Sequence, residues 1–480
     1  MVQTPAADLV NRGSGSAADS SDGAQQTVGS WTLAVWGGVG MVVLLPLILS
    51  VVTPTPVGSS WLLALVVTTI AGTRYMWIVA MGLRRLYELT FWVFVYVFLG
   101  LAPLVQLRTQ RTPGTAPRID TTLNQPAMLL VILGIVVTLA GLSVSFEGRG
   151  SRRLGFTVDG VHPLRTILFA LFALVVCAYY VAKVGLGTFF TSRYEWLDAV
   201  AAVWGQGSFA PLATPLIAGG GLLVAFIALI KCRMQAQHRG WPILLLTVCV
   251  ALCLALTMLN PFTSPRTYFG VAAMAIAAVF GVFASQKLFR VTAVIWVLAL
   301  IFVFPLADYF RTPDPAFKSS TPIEGLITPD FSSFAEINNT LLYVNRYGIT
   351  DGRQAAGVVL FWYPRRFWPD KPVDTTELVA ASRGYTFQNL GAPIWSELYI
   401  NGGWVLLVVG MFILGVAMRS LDNRIEISLR RARAPGVLGC IAPFYFGLLI
   451  RGSLLQAMGF LFVLIACSAF VTRWRRSGVR

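Results

Sequence analysis

The chain has 480 residues, 56% of them hydrophobic and only 12% charged, with 37 Lys and Arg against 21 Asp and Glu. That composition excludes a water-soluble globular enzyme and describes a polytopic membrane protein. The formal net charge of +16 reports on membrane topology and gives no reason to expect nucleic acid.

Residues 1–29 are rich in Ser, Ala, Gly and Asp and read as a disordered cytoplasmic tail. No cleavable signal pattern is expected before the first apolar run. Runs near the roughly 20 residues that cross a bilayer predict nine transmembrane helices within 30–307, at about 31–52, 61–80, 90–107, 126–146, 164–184, 212–230, 241–259, 268–283 and 291–306. Three more follow within 399–480, at about 399–418, 437–450 and 454–471, before a basic cytoplasmic tail. With the N-terminus inside, the inner connections hold 22 of the 37 basic residues and eight acids, whereas the outer ones hold 15 and 13. Lys and Arg favour the cytoplasmic side. The expectation is an all-α protein of the inner (cytoplasmic) membrane with about 12 transmembrane helices and both termini cytoplasmic. One large extracytoplasmic loop, 308–398, separates helices 9 and 10.

A loop of this length is functional or disordered, and its content argues against disorder. Tyr343, Phe361, Trp362, Tyr363, Phe367, Trp368, Tyr385 and Trp395 stand beside Arg346, Arg353, Arg365, Arg366 and Arg383, a mixture suited to sugars and phosphates. Ser333-Phe334-Ala335-Glu336 predicts a capping box, with Phe334, Ile337, Leu341 and Val344 at helical spacing up to about Arg346. In 363–372, three prolines stiffen a backbone that carries Arg365, Arg366 and Lys371, and adjacent guanidiniums offer forked donors to phosphate oxygens. The same residues would also make an interfacial aromatic belt with snorkelling arginines. Arg193, Arg266, Arg311 and Arg451 fall at outer helix mouths, where a desolvated arginine is a functional candidate and lipid headgroup contact is the alternative. The only histidines, His162 and His238, fall on the inner side, and no outer segment holds a dense cluster of acids. No metal site and no cofactor are expected, and no Walker A sequence appears.

Three motifs carry a resemblance to the Wzy-type polymerases, the O-antigen or oligosaccharide repeat-unit polymerase family. They are Trp368-Pro369-Asp370-Lys371-Pro372, the Glu397-Leu398-Tyr399-Ile400-Asn401-Gly402-Gly403-Trp404 re-entry into the next span, and Ser264-Pro265-Arg266 at a helix mouth. Arg346 and Gly357, with ten residues between them, also resemble a spacing found in outer loops of some members. Arg193 and Gly205 depart from it, with eleven residues between them. The matches lie between 260 and 423, and the first six spans agree only in hydropathy.

The resemblance implies a glycosyltransferase that joins undecaprenyl-pyrophosphate-linked oligosaccharides on the outer membrane face, with lipid-linked donor and acceptor as partners. A flippase and a chain-length regulator would work alongside it. Arginines stay protonated and can stabilise a departing diphosphate without a metal. Arg266 and Arg366 are then the expected catalytic cations, and Glu397 the first candidate base, with Asp370 second. Arg193, Arg311, Arg346, Arg353, Arg365, Trp368, Lys371 and Arg451 are expected to bind substrate. Glu397 reads also, and somewhat more readily, as a helix cap or salt-bridge partner. The competing functions are an O-antigen ligase-like transferase, which ordinarily has an outer-loop histidine absent here, and a transporter or flippase for lipid-linked sugars.

Overall fold

The computed structural model describes residues 31–32, 35–54, 58–144, 160–205, 209–235, 240–303, 321–385 and 391–473. The expected 1–29 tail and Arg311 lie outside the described residues. Within them the chain is helical, apart from turns and one isolated bridge between Val161 and Thr472. In chain order the helices are α1 (Val35–Val52), α2 (Ser60–Ala80), α3 (Leu86–Thr109), α4 (Thr121–Ser143), α5 (Pro163–Val184), α6 (Arg193–Trp204), α7 (Phe209–Met234), α8 (Trp241–Thr257), α9 (Arg266–Val279) and α10 (Gln286–Val303). They continue as α11 (Ser333–Tyr347), α12 (Arg353–Val359), α13 (Thr375–Arg383), α14 (Ile394–Arg431), α15 (Val437–Arg451) and α16 (Leu454–Val471). Eight of them, α1 to α5, α10, α14 and α16, are long and apolar enough to cross a membrane, and α8, α9 and α15 are shorter apolar helices. These are the elements of a multi-pass membrane protein.

Helix α3 is the axis of the bundle, buried along its whole length. The reason lies in its sequence, which is apolar on every face, so no side needs water. Its turns widen to π-helical over Val95–Leu101, and Gly100 lies where α2 crosses: a Cβ there would sit 2.7 Å from Thr68 Oγ1 and 3.2 Å from Thr68 Cα. A second close crossing joins α4 to α14, where Gly141 and Gly415 face each other. A Cβ on either would run into the opposite backbone. Small residues let helices approach where lipid supplies no hydrophobic drive between them.

Helix α14 departs from the expected 399–418 span at both ends. It begins at Ile394, set by the preceding Pro393, so Glu397 lies inside a helix and not in the loop. It also continues to Arg431, because Asp422 and Glu426 on its polar extension find partners on and beside α3. Within it the backbone breaks at Gly402 (φ −160°, ψ 22°) and Gly403 (φ 59°, ψ −148°), and the positive φ of Gly403 favours glycine. The loop takes up the carbonyls freed at the break. The Thr350 and Gly352 N–H groups donate to the Ile400 and Asn401 carbonyls at 2.8 and 2.9 Å.

The connections gather at two ends. At one, Arg84 reaches Glu426 and the Ala284 carbonyl, Arg290 reaches the Val79 and Ala80 carbonyls, and the segment before α5 pairs with the chain beyond α16. At the other, the loop end, the described residues of 321–385 and 391–393 fold as a cap over the bundle.

The cap confirms local helix and corrects its details. Helix α11 runs to Tyr347 and buries Phe334, Ile337 and Leu341. Its N-cap is Ser332 and no side chain caps it, so the expected Ser333–Glu336 capping box does not form. Glu336 turns inward instead. Asn338 fastens the helix to α4, donating to the Asp120 carbonyl (2.8 Å) and Asn124 Oδ1 (3.0 Å), while Gln106 of α3 donates to the Leu326 and Phe331 carbonyls. Helices α12 and α13 were not anticipated. Asp374 caps α13 through the Thr376 N–H (2.8 Å), and Gly384 ends it in the left-handed region at φ 67°.

Candidate functional site

The 260–266 connection is a rigid corner. The Asn260 amide donates to the Phe189 carbonyl (2.7 Å), its Oδ1 accepts the Phe262 N–H (2.9 Å), and the Ser264 hydroxyl donates to the Thr257 carbonyl (2.6 Å). These bonds fix the start of α9, whose first residue is Arg266. On the neighbouring α15, which packs against α9, Arg451 is the last residue, with its guanidinium 5.2 Å from the centre of the Phe98 ring of α3. Phe98 in turn stacks on Phe331 at 4.9 Å. Between the two arginines sits Asp330, in the short turn just before α11.

Arg266 Nη1 lies 2.7 Å from Asp330 Oδ2, and Arg451 Nη2 lies 3.5 Å from Asp330 Oδ1 while donating to the Asp330 carbonyl at 2.7 Å. Side-chain exposures of 10% for Arg266, 24% for Arg451 and 28% for Asp330 leave the cluster mostly buried and partly reached by solvent. Screening there is weaker than for surface pairs, so the charges matter. Arg193, the first residue of α6, is held by the Ser192–Glu195 capping box. It lies within electrostatic reach of Tyr268, two residues beyond Arg266.

Immediately after Arg451 the chain turns into α16, and this turn is fastened to Glu397. The Leu454 N–H donates to Glu397 Oε1 (3.0 Å) and the Thr375 hydroxyl to Oε2 (2.9 Å), while the Ser453 hydroxyl donates to Asp374 Oδ2 (2.5 Å). Glu397 thus serves as a borrowed cap for the N-terminus of α16. It lines a mostly apolar cleft of about 230 Å³ between α12, the start of α14 and Leu454. Asn401, the only other polar side chain there, receives the Ala355 N–H on Oδ1 at 2.8 Å. Of the sequence-predicted residues, the structure therefore brings Arg266 and Arg451 onto one carboxylate, and ties Glu397 to the turn that follows Arg451.

The other predicted cations keep different company. Arg365 donates to the Lys371 (2.6 Å) and Pro372 (3.2 Å) carbonyls, Lys371 to those of Phe361 (2.7 Å) and Tyr363 (3.0 Å), and Arg353 to that of Asp370 (2.8 Å). Partial burial and the neighbouring Arg365 charge pull the Lys371 ammonium below its usual range. Gly357 admits Pro372, whose Cγ would lie 2.6 Å from a Cβ there, so the Arg346–Gly357 spacing joins the Trp-Pro-Asp-Lys-Pro run sterically. Arg366 is exposed, its guanidinium 5.8 Å from the ring of its own neighbour Phe367, and Trp368 is half-buried. Arg346 and Arg383 lie near Asp120 at the start of α4. The Thr122 hydroxyl chiefly holds the Asp120 carboxyl below its usual range, with the Thr122 N–H and both arginines adding to it. Arg266, Arg346, Arg365 and Arg366 thus have four separate sets of neighbours.

Sequence reasoning missed Asp330, Asp374 and Ser453, and it misassigned Glu336. Asp374 was legible: Asp-Thr-Thr-Glu ahead of an apolar-alanine run and Gly384 is a helix start and stop. Asp330 and Ser453 carried no local signal, since their roles come from long-range contacts. Glu336 is 2% exposed, its Oε1 meets no partner among the described residues, and burial pushes its carboxyl up to about 8, with the nearby Asn339 amide pulling the other way.

Comparison of the chain with protein families, with characterised proteins and with solved structures finds no match.

Proposed function

We propose that the protein is a membrane-embedded glycosyltransferase. It would join undecaprenyl-pyrophosphate-linked oligosaccharide repeat units into polysaccharide on the outer face of the cell membrane. The observation that carries this reading is the convergence of Arg266 and Arg451 on Asp330 under the folded cap. Two guanidiniums from different helices, partly desolvated and held by one carboxylate, offer forked donors suited to a diphosphate leaving group. They supply fixed positive charge where negative charge develops, without a metal. The resemblance of 264–266, 368–372 and 397–404 to the Wzy-type polymerases points the same way.

In this reading α1–α5, α7–α10 and α14–α16 are the twelve spans, both termini are cytoplasmic, and the cap is extracytoplasmic. The charge count supports that orientation, because Arg84 and Arg290, at the end opposite the cap, belong to the arginine-rich connections counted as inner. Both Glu397 oxygens accept hydrogen bonds, and in this reading it serves as a clamp that sets the Arg451 turn, with its expected role as a base the alternative that Glu397→Ala separates. The alternatives are an O-antigen ligase-like transferase and a lipid-linked oligosaccharide transporter. The charged recess lies at one end of the bundle and not along a path through it, which favours transfer over transport.

The test is replacement of Arg266 or Arg451 by Ala in a polymer-producing host. A polymerase defect leaves single repeat units on the lipid carrier at the outer face, whereas a transport defect traps them inside. Unchanged polymer from both variants would sink the assignment.

A further inference from the structure

At the end of the bundle opposite the cap, α2, α3 and α14 bury a second charge cluster that the transfer reaction does not use. Along α14, Arg419 lies 16 residues beyond the break at Gly403, about 24 Å away at helical rise. The cluster is built on acids at its floor. Asp422 is 1% exposed and accepts the Tyr87 and Glu88 N–H groups at 2.9 and 3.0 Å, capping the N-terminus of α3. Glu88, fully buried, receives Arg74 on Oε1 and Arg85 on Oε2 (3.1 Å).

Above those acids stand three guanidiniums. Arg74 and Arg85 keep 28% and 22% of their side chains exposed, and each retains N–H donors that the Glu88 contacts do not use. Arg419 lies within electrostatic reach of all four groups, Arg85, Glu88, Arg74 and Asp422. Its Nε is sealed from solvent, and no acceptor among the described residues meets it. Buried donors are ordinarily satisfied, and a guanidinium offers a planar fork suited to phosphate. Three cations over two acids, with the cations outward, leave one uncompensated positive charge beside an unmet donor.

We infer that Arg419, with the outward faces of Arg74 and Arg85, forms a binding site for the phosphate of an anionic phospholipid headgroup. An exposed aromatic beside the cluster favours a lipid over a soluble phosphate. Trp77, three residues from Arg74 on α2, is 41% exposed and packs edge-on against Trp31. Exposed tryptophans of this kind sit at headgroup level. The same end carries the basic excess that attracts anionic lipid.

The experiment is native mass spectrometry of the full chain in detergent, titrated with phosphatidylglycerol or with phosphatidylcholine. The wild type should retain one tightly held phosphatidylglycerol that R419Q holds at least tenfold more weakly, with R419K between them and phosphatidylcholine not retained. Phenylglyoxal labelling of Arg419 in the wild type alone, read by peptide mass, should be blocked by phosphatidylglycerol and not by phosphatidylcholine. This arm needs no variant to fold. Equal phosphatidylglycerol retention in wild type and R419Q, or labelling indifferent to the lipid, would overturn the site. Protection of Arg419 by inorganic phosphate but not by phosphatidylglycerol would overturn the lipid assignment in favour of a soluble anion.

Discussion

Two regions at the loop end are rich in arginine, and they use it differently. In the 363–372 turn, Arg365 and Lys371 donate to carbonyls only 6 to 10 residues away. At the other region, Arg451 reaches Asp330, 121 residues distant in the chain, and Arg266 arrives from a third element. The turn neutralises nothing, because its cations face carbonyl dipoles, whereas the recess matches guanidinium to carboxylate. Local density of cations therefore reports how a proline-stiffened loop holds its own shape. Convergence of cations from distant helices reports a place built to hold negative charge.

The sharpest way to break this comparison is to exchange the two regions' expected importance. Arg266→Ala or Arg451→Ala should lower polymer output by about 10³-fold or more, the scale of a lost arginine in phosphoryl transfer. Arg366→Ala should stay within about twofold of wild type. Both are read from the ratio of polymer to single repeat units on the lipid carrier. If Arg366→Ala is the null and the recess variants are active, the turn and not the recess holds the leaving group.

The next effect is one of pH and concerns Glu336, on the helix that anchors the cap. Its carboxyl titrates at about 8 in the folded protein against 4.5 in the unfolded chain. Below pH 4.5 both states are protonated and the group costs nothing. Between 4.5 and 8 the unfolded state loses its proton first, so stability falls as pH rises, and the loss is complete above about 8. The drop should be on the order of a few kcal/mol, seen as a falling thermal midpoint in detergent. Glu336→Gln should flatten that part of the profile. An unchanged slope in the variant would mean the buried carboxyl finds a charged partner.

Smaller again is Glu397→Ala, which removes the carboxylate that receives the Leu454 N–H and the Thr375 hydroxyl. Hydrogen bonds of this kind each contribute about 0.5–1.5 kcal/mol, and the same loss should loosen the turn carrying Arg451. Reduced stability with polymer output lowered in parallel fits a clamp. Full loss of output at unchanged stability would return Glu397 to the chemistry as a base.

The helical architecture was legible because apolar runs leave the chain few other structures in lipid, and each of the twelve predicted runs falls on a helix. Boundaries failed where charge was read as loop: the arginines and acids of 419–431 continue α14, since their partners sit on neighbouring helices and not in water. At the site, Arg266, Arg451 and Glu397 were found by their positions at helix ends. Asp330 was not, because a carboxylate's significance there depends on which helices stand opposite it. Asn401 and Gly402–Gly403 looked like a family signature, and the structure gives that signature a mechanical reading. The broken helix exposes carbonyls that the 350–352 segment then covers.

The smallest effects belong to the turn itself. Removing Arg365 or Lys371 deletes neutral-acceptor bonds, each contributing about 0.5–1.5 kcal/mol, from a segment that three prolines already hold in shape. Arg365→Ala and Lys371→Ala should therefore raise hydrogen exchange or protease cleavage within 361–372 while polymer output stays within a few-fold of wild type. Gly357→Val should disturb the same segment more than either, because its side chain meets Pro372 directly and a ring locked by its own backbone cannot swing aside. If the two cation variants instead abolish polymer without loosening the turn, their side chains leave the carbonyls to grip substrate, and the two arginine regions act as one site.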